Sequence, residues 1–488
     1  MVIGGASALG QVLGLVRNKA VAMMLGPAGI GLMGLYTAIT DVARSFADMG
    51  VNQSGVRQIA ESSAKGGLER AAVTAYVLRR TSVVLGVIGA AALLLFAEEV
   101  SKLTFGDEGR ATAVRLLGGV VLLRLVTDGQ SAVLQGLRRV GDLARVGVLG
   151  NLFGTIALIA IVYVAGERGL VPALLVAGVL AVLTAVWYVR KLELPPAKVP
   201  AKAVSSEASE LLKLGLAFMV SACSMMAAAY AVRAIVSTQG GLHDAGLYQA
   251  AWALGGLYTT FILQAMGTDF YPRLVGAMGD VPLRNRLTNE QMMASMVLAG
   301  PGIIATLALA PFVLSLLYSS EFQEAAPLLR WICLGMALRV VTWPPGFLIV
   351  SKNERLVFMG TEIAWAVVNI GLTWLLVSLI GLEGAGVAFV ASYVTHGVVV
   401  YTIVHKRYGF SLQRNTASAI AIFICSIAVV LAGFYMLSEM VATIFAVLVA
   451  AILSIGSLRA LVTMLPAERV PASVTRCLHR LGLAESGR

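Results

Sequence analysis

The chain has 488 residues, of which 58% are hydrophobic and 13% charged, and its mean hydropathy is +0.85. Soluble domains carry about 25% charged residues, so a water-soluble enzyme is excluded and the chain reads as a polytopic membrane protein. The net charge of +11 is spread over short loops rather than gathered in one solvated patch, which argues against a nucleic-acid partner.

The opening MVIGGASALGQVLGLVRNKAVAMMLG has no basic n-region and no small-residue cleavage site, so it reads as the first span. Membrane-length apolar segments then follow at 29–51, 71–97, 111–136, 144–165 and 169–189, and again at 212–238, 242–271, 291–318, 326–351, 355–379 and 383–404. Two more lie at 416–437 and 440–464. The expected fold class is an all-α polytopic membrane protein of about fourteen transmembrane helices: two parallel six-helix repeats forming two lobes, plus two C-terminal helices.

On the second span, Thr37, Asp41, Arg44 and Asp48 fall at i, i+4, i+7 and i+11, one polar stripe on an otherwise apolar helix. An ionisable side chain at bilayer depth costs about 2.5–3.5 kcal/mol, so the stripe is expected to face a polar cavity. The bland alternative is that Arg44 pairs with Asp41 and Asp48 along its own helix. The fourth span repeats the spacing with Arg124, Asp128, Ser131 and Gln135, and the tenth keeps Arg339 and Thr342 but has Trp343-Pro344-Pro345 at the acid position. That duplication favours tying each lobe together over lining a pathway.

Lys and Arg alternate between loops, with Arg57, Lys65 and Arg70, then Arg138, Arg139 and Arg145, then Lys406, Arg407 and Arg414 on one side. The positive-inside rule makes that side cytoplasmic, together with both termini. The Pro-rich tract LELPPAKVPAKAV is the linker. The expected divisions are an N-terminal lobe 1–192, a cytoplasmic linker 193–210, a C-terminal lobe 211–405, two extra helices over 406–465 and a cytoplasmic tail 466–488. The halves repeat at an offset of about 215 residues. Arg115, Arg124 and Thr127 answer Arg330, Arg339 and Thr342, while Gly31-Leu32 answers Gly246-Leu247 and Gly166 answers Gly381.

No extramembrane loop is long, and none carries a nucleotide loop, metal-type carboxylate cluster or nucleophile motif, so no enzyme is expected. Cys223, Cys333, Cys425 and Cys477 are scattered and His243, His396, His405 and His479 isolated, so no metal site or prosthetic group is expected either.

Asn18-Lys19, then Leu25-Gly26-Pro27-Ala28-Gly29-Ile30-Gly31-Leu32, Gly50-Val51 and Val56-Arg57-Gln58-Ile59-Ala60-Glu61 resemble the opening of Wzx-type O-antigen and polysaccharide flippases. These belong to the multidrug/oligosaccharidyl-lipid/polysaccharide exporter superfamily. The two lobes extend the likeness to about residue 405, and the last two helices depart from a twelve-helix core. The resemblance implies an undecaprenyl-diphosphate-linked oligosaccharide, moved by alternating access from the cytoplasmic to the outer leaflet of a bacterial inner membrane. It also implies a cavity lined largely by the first, second, seventh and eighth spans.

A diphosphate suits guanidinium groups, which stay charged and grip phosphate bidentately. Arg17, Lys19, Arg44 and Arg233 are the expected contacts, with snorkelling to headgroups as the alternative for Lys19 and Arg233. Sugar contacts would fall to Gln249, Trp252, Tyr258 and Thr259 on the eighth span, where the alternative is an interfacial aromatic belt. Asp41, Asp48 and Glu362 are the candidates for binding a coupling ion, a proton or Na+. The expected partners are the lipid-linked oligosaccharide, membrane lipid and other glycan assembly proteins. Rival readings are a lipid II-type precursor flippase, then a multidrug exporter, which would want an acidic cavity, and a membrane glycan polymerase.

Overall fold

A computed structural model describes residues 2–196 and 201–464. The tail 466–488, with Cys477, and part of the expected linker lie outside the described residues, as does the side chain of Tyr258. Every regular element described is helical: α1 (Val2–Asp48), α2 (Val51–Leu95), α3 (Ala97–Phe105), α4 (Ala111–Gly136), α5 (Val140–Ala165), α6 (Leu170–Arg190) and α7 (Ala201–Gly276). Then come α8 (Val281–Ala308), α9 (Ala310–Leu317), α10 (Ala326–Ser351), α11 (Arg355–Ile380), α12 (Glu383–Tyr408), α13 (Arg414–Met436) and α14 (Glu439–Met464).

Two of these helices hold two expected spans each. α1 breaks at Gly26 (φ 63°, ψ −164°), where only glycine takes the backbone without strain and Pro27 restarts the helix. α7 breaks at Gly241 (φ 79°, ψ −179°), the repeat position of Gly26. The same offset holds where α5 and α11 end: Gly166 (φ 59°) caps onto the Val162 carbonyl and Gly381 (φ 71°) onto the Val377 carbonyl. It holds again in the turns after α4 and α10, where Arg138 (φ 58°) and Asn353 (φ 60°) both take left-handed conformations. The repeat read in the sequence is thus a repeat of backbone geometry.

Two expectations are corrected. The basic stretch 52–70, expected as a loop, is the start of α2. It contains no proline, Ile59 and Ser54 are buried, and Arg57 donates to Glu61 one turn on at 2.8 Å, holding that carboxyl below its usual range. The ninth span starts ten residues early, because Asp280 accepts a hydrogen bond from the Leu283 amide at 3.0 Å and caps α8, and it breaks before α9.

Nine described segments are long and apolar enough to cross a membrane. Two of them, Gly5–Asp48 and Val140–Arg190, are long enough for two crossings each and are divided at Gly26 and at the 3-10 turn Gly166–Gly169. The chain forms two compact units. The first runs to Gln249 and includes Ser315–Phe322; α2 packs on α4, and α5 and α4 pack on α6. Gly118 meets the Ala90 backbone there, a close approach that small residues permit. In the second, α10 and α11 pack on α12, and α8 receives α10 and α14.

Candidate functional site

The polar stripes of α1 and α4 meet inside the first unit. Arg44 Nη1 lies 2.8 Å from Asp128 Oδ2, and Arg124 Nη1 lies 2.5 Å from Asp41 Oδ1. Pairing is therefore crossed between helices, and Asp48 instead accepts from Asn52. The Arg44 and Asp128 side chains keep 33% and 34% of their surface, so this pair is open to a cavity rather than sealed between helices.

That cavity encloses about 450 Å³ and is lined by Arg17, Arg44, Arg124 and Asp128. Its far wall comes from α5 and α6, where Gly147, Gly150, Gly154, Ala177, Gly178 and Ala181 supply almost no side chain. Thr127, Ser131 and Asn151 add neutral polar groups. Arg17 forms no ion pair among the described residues, and its Nε, like that of Arg44, is buried without a hydrogen-bond partner. Three guanidinium groups thus face one lining carboxylate, with Asp41 behind. That excess of one positive charge, carried by the unpaired Arg17, favours an anion in a confined, low-dielectric space.

Arg17, Arg44, Arg124 and Asp128 line the same cavity. The first and second spans reach this cavity; its other walls are α4, α5 and α6. Lys19 and Arg233 are not among its lining residues. Lys19 donates to the Ser315 carbonyl at 3.0 Å, while Arg233 donates to Gln249 at 2.9 Å and to the Ala229 carbonyl at 2.8 Å. Of the sugar candidates, Gln249 is engaged by Arg233, Trp252 packs edge-on against Phe389 with centroids 5.1 Å apart, and Thr259 is buried.

A profile of the polysaccharide biosynthesis protein family matches residues 20–327. The chain belongs to this family. Its relatives include proteins named lipid III flippase from Escherichia coli (strain K12) and Shigella flexneri, each 22% identical over 401 residues, covering 78% of this chain and 92% of the relative. Among solved structures, an inward-facing multidrug resistance MATE family transporter of the MOP superfamily aligns with a TM-score of 0.67 at 17% identity, covering 82% of this chain and 94% of that one. The lipid II flippase MurJ in an inward closed conformation aligns at 0.63 and 13% identity, covering 94% and 98%. These likenesses show that the chain shares the fold of these transporters.

In the second unit the repeat positions of the cavity wall are filled. Glu362 stands for Gly147, Trp365 for Gly150, Tyr393 for Gly178 and His396 for Ala181. Trp365 lies 5.4 Å from Tyr393, Tyr393 lies 4.9 Å from Phe389, and His396 Nε2 is 3.9 Å from Glu362 Oε1. Arg339, the repeat mate of Arg124, acts on both Glu362 and Tyr393 through its charge. His396 looked isolated in the sequence, and only the repeat register, read across the wall of the first-unit cavity, could have singled it out.

Proposed function

We propose that this protein is a flippase that moves an undecaprenyl-diphosphate-linked oligosaccharide, an O-antigen or exopolysaccharide repeat unit, from the cytoplasmic to the outer leaflet. The observation that carries this reading is the cavity in which Arg17, Arg44 and Arg124 outnumber the carboxylates. An exporter of organic cations would need the opposite balance. The relatives named lipid III flippase support the lipid-linked class, and the named relatives are flippases and transporters rather than enzymes.

The diphosphate would be gripped by the free edges of Arg17 and Arg44, with Arg124, backed by Asp41, as a third cation on the lining. The glycines and alanines on the α5–α6 wall leave space beside the phosphates for a sugar ring. Alternating access by two six-helix lobes, 1–192 and 211–405, in a bacterial inner membrane with both termini cytoplasmic completes the proposal. A lipid II-type precursor is the second reading, favoured by a fold likeness to MurJ that covers 94% of the chain, more than the twelve-helix core provides.

The test is surface glycan in a host whose own copy is deleted, comparing Arg44→Ala with Arg44→Lys at matched protein abundance. Loss of a charge-assisted phosphate contact is expected to lower display by about tenfold or more in the Ala variant, with partial recovery in Lys. Full activity of Arg44→Ala would remove the cavity from the mechanism.

A further inference from the structure

We propose that Glu362 and His396 form a proton-binding site in the second unit that couples lipid movement to a pH gradient. The proposal rests on the flippase reading above. The two side chains come from neighbouring helices, α11 and α12, with His396 Nε2 3.9 Å from Glu362 Oε1. The His396 side chain is 11% exposed, whereas Glu362 keeps 43%, so the carboxylate is the end of the pair open to its surroundings.

The groups that face the pair are few. Arg339 acts on Glu362 from α10, and Tyr393 lies along α12 with its ring 5.9 Å from the imidazole. The Thr361 backbone also faces the His396 ring. Trp365, one turn from Glu362, has a buried Nε1 without a hydrogen-bond partner among the described residues. The next ion pair along these helices, Arg407 with Glu354 at 2.9 Å, joins their cytoplasmic ends.

In the repeat register this pair has no counterpart in the first unit. In the first unit the same four positions are Gly147, Gly150, Gly178 and Ala181, which leave the anion cavity open. In the second unit Arg339 has lost its acid at i+4 to Trp343 and forms no ion pair within 4.0 Å among the described residues. One repeat has kept room for a substrate, and the other has exchanged that room for an acid and a base.

A proton arriving through the exposed Glu362 carboxyl is held between it and the imidazole 3.9 Å away, and the site gains one positive charge. With the proton shared by the pair, closing 3.9 Å to a charge-assisted hydrogen bond draws α11 towards α12. Loss of the proton releases them. A single carboxylate beside an imidazole and a guanidinium is a poor cage for Na+, a hard cation that takes several oxygen ligands, so the chemistry selects a proton.

The full-length protein in phosphatidylethanolamine/phosphatidylglycerol vesicles, given undecaprenyl diphosphate bearing N-acetylglucosamine, tests this by leaflet distribution with and without a difference of one pH unit. One proton per lipid turns that difference into about a tenfold leaflet ratio. Glu362→Gln and His396→Gln are expected to equilibrate the lipid but lose the ratio, while Glu362→Asp keeps it. A wild type that equilibrates the probe and ignores the gradient, or Gln variants that still build the ratio, overturns the coupling site.

Histidine NMR in the same vesicles reads the site without transport, since the chain has only 4 histidines. A titrating resonance lost in His396→Gln and shifted in Glu362→Gln supports the pair even where the probe does not move, which would count against the flippase reading alone. Absence of titration at His396 between about pH 5 and 9 overturns the proton site.

Discussion

Arg44 and Asp128, 84 residues apart in the chain, are joined at 2.8 Å, although Arg44 has acids at i−3 and i+4 on its own helix. Asp41 is taken by Arg124 and Asp48 by Asn52, so both acids of the stripe on α1 are engaged by residues other than Arg44. This geometry separates glue from ligand contact. Exchanging the charges, Arg44→Asp with Asp128→Arg, retains an ion pair between α1 and α4 but moves the guanidinium to the other side. Abundance should fall in each single variant, where a part-buried charge loses its partner at a cost of about 1–3 kcal/mol, and recover in the double variant. Surface glycan should stay about tenfold or more below wild type in the double variant if Arg44 is a phosphate contact. Equal recovery of abundance and display would reduce Arg44 to a structural role.

The repeat supplies its own test of the cavity. A Cβ on Gly150 would lie 3.7 Å from Ala181, an ordinary contact, so a larger side chain there has room to extend into the cavity. Replacing Gly150 and Ala181 by their repeat mates, Gly150→Trp with Ala181→His, should leave protein abundance within about twofold of wild type and lower glycan display by about tenfold or more. The warrant is that filling a polar, open cavity displaces ligand without overpacking a core. Immunoblotting of membranes alongside glycan staining reads both quantities. Normal display by the filled variant would place the substrate elsewhere.

What the sequence made legible was local chemistry with one outcome. Gly26-Pro27 can end one helix and begin another, Gly166 and Gly381 can take the left-handed side of φ, and long apolar runs from Ala326 to Met464 can only be helices, so those bounds were readable within a few residues. The start of α2 was not, because a polar helix outside the bilayer has no apolar run to announce it. Nor were the partners of the stripe: spacing fixes which residues share a face, while the choice of Asp128 over Asp41 for Arg44 depends on how α4 packs. The wall of the cavity was invisible for a related reason. Glycines such as Gly147 and Gly150 carry no chemistry, and their meaning emerges only beside Glu362 and Trp365.

The most demanding packing in the first unit joins Gly31 and Gly246, repeat mates that face each other. A Cβ at Gly31 would stand 2.3 Å from the Leu242 carbonyl oxygen, and one at Gly246 would stand 1.8 Å from the Pro27 carbonyl oxygen. Both obstacles are backbone, which cannot rotate away as a side chain can. Gly246→Ala should therefore cost about 1–3 kcal/mol or more and lower the thermal midpoint in detergent. Gly371→Ala, on α11 with nothing within 4 Å of the added atom, is the matched control and should be neutral or slightly stabilising, since alanine favours a helix over glycine by about 1 kcal/mol. Equal midpoints for the two variants would mean that the backbones at Gly31 and Gly246 separate freely. The close approach would then be a feature of one conformation in the transport cycle rather than a fixed point of the fold.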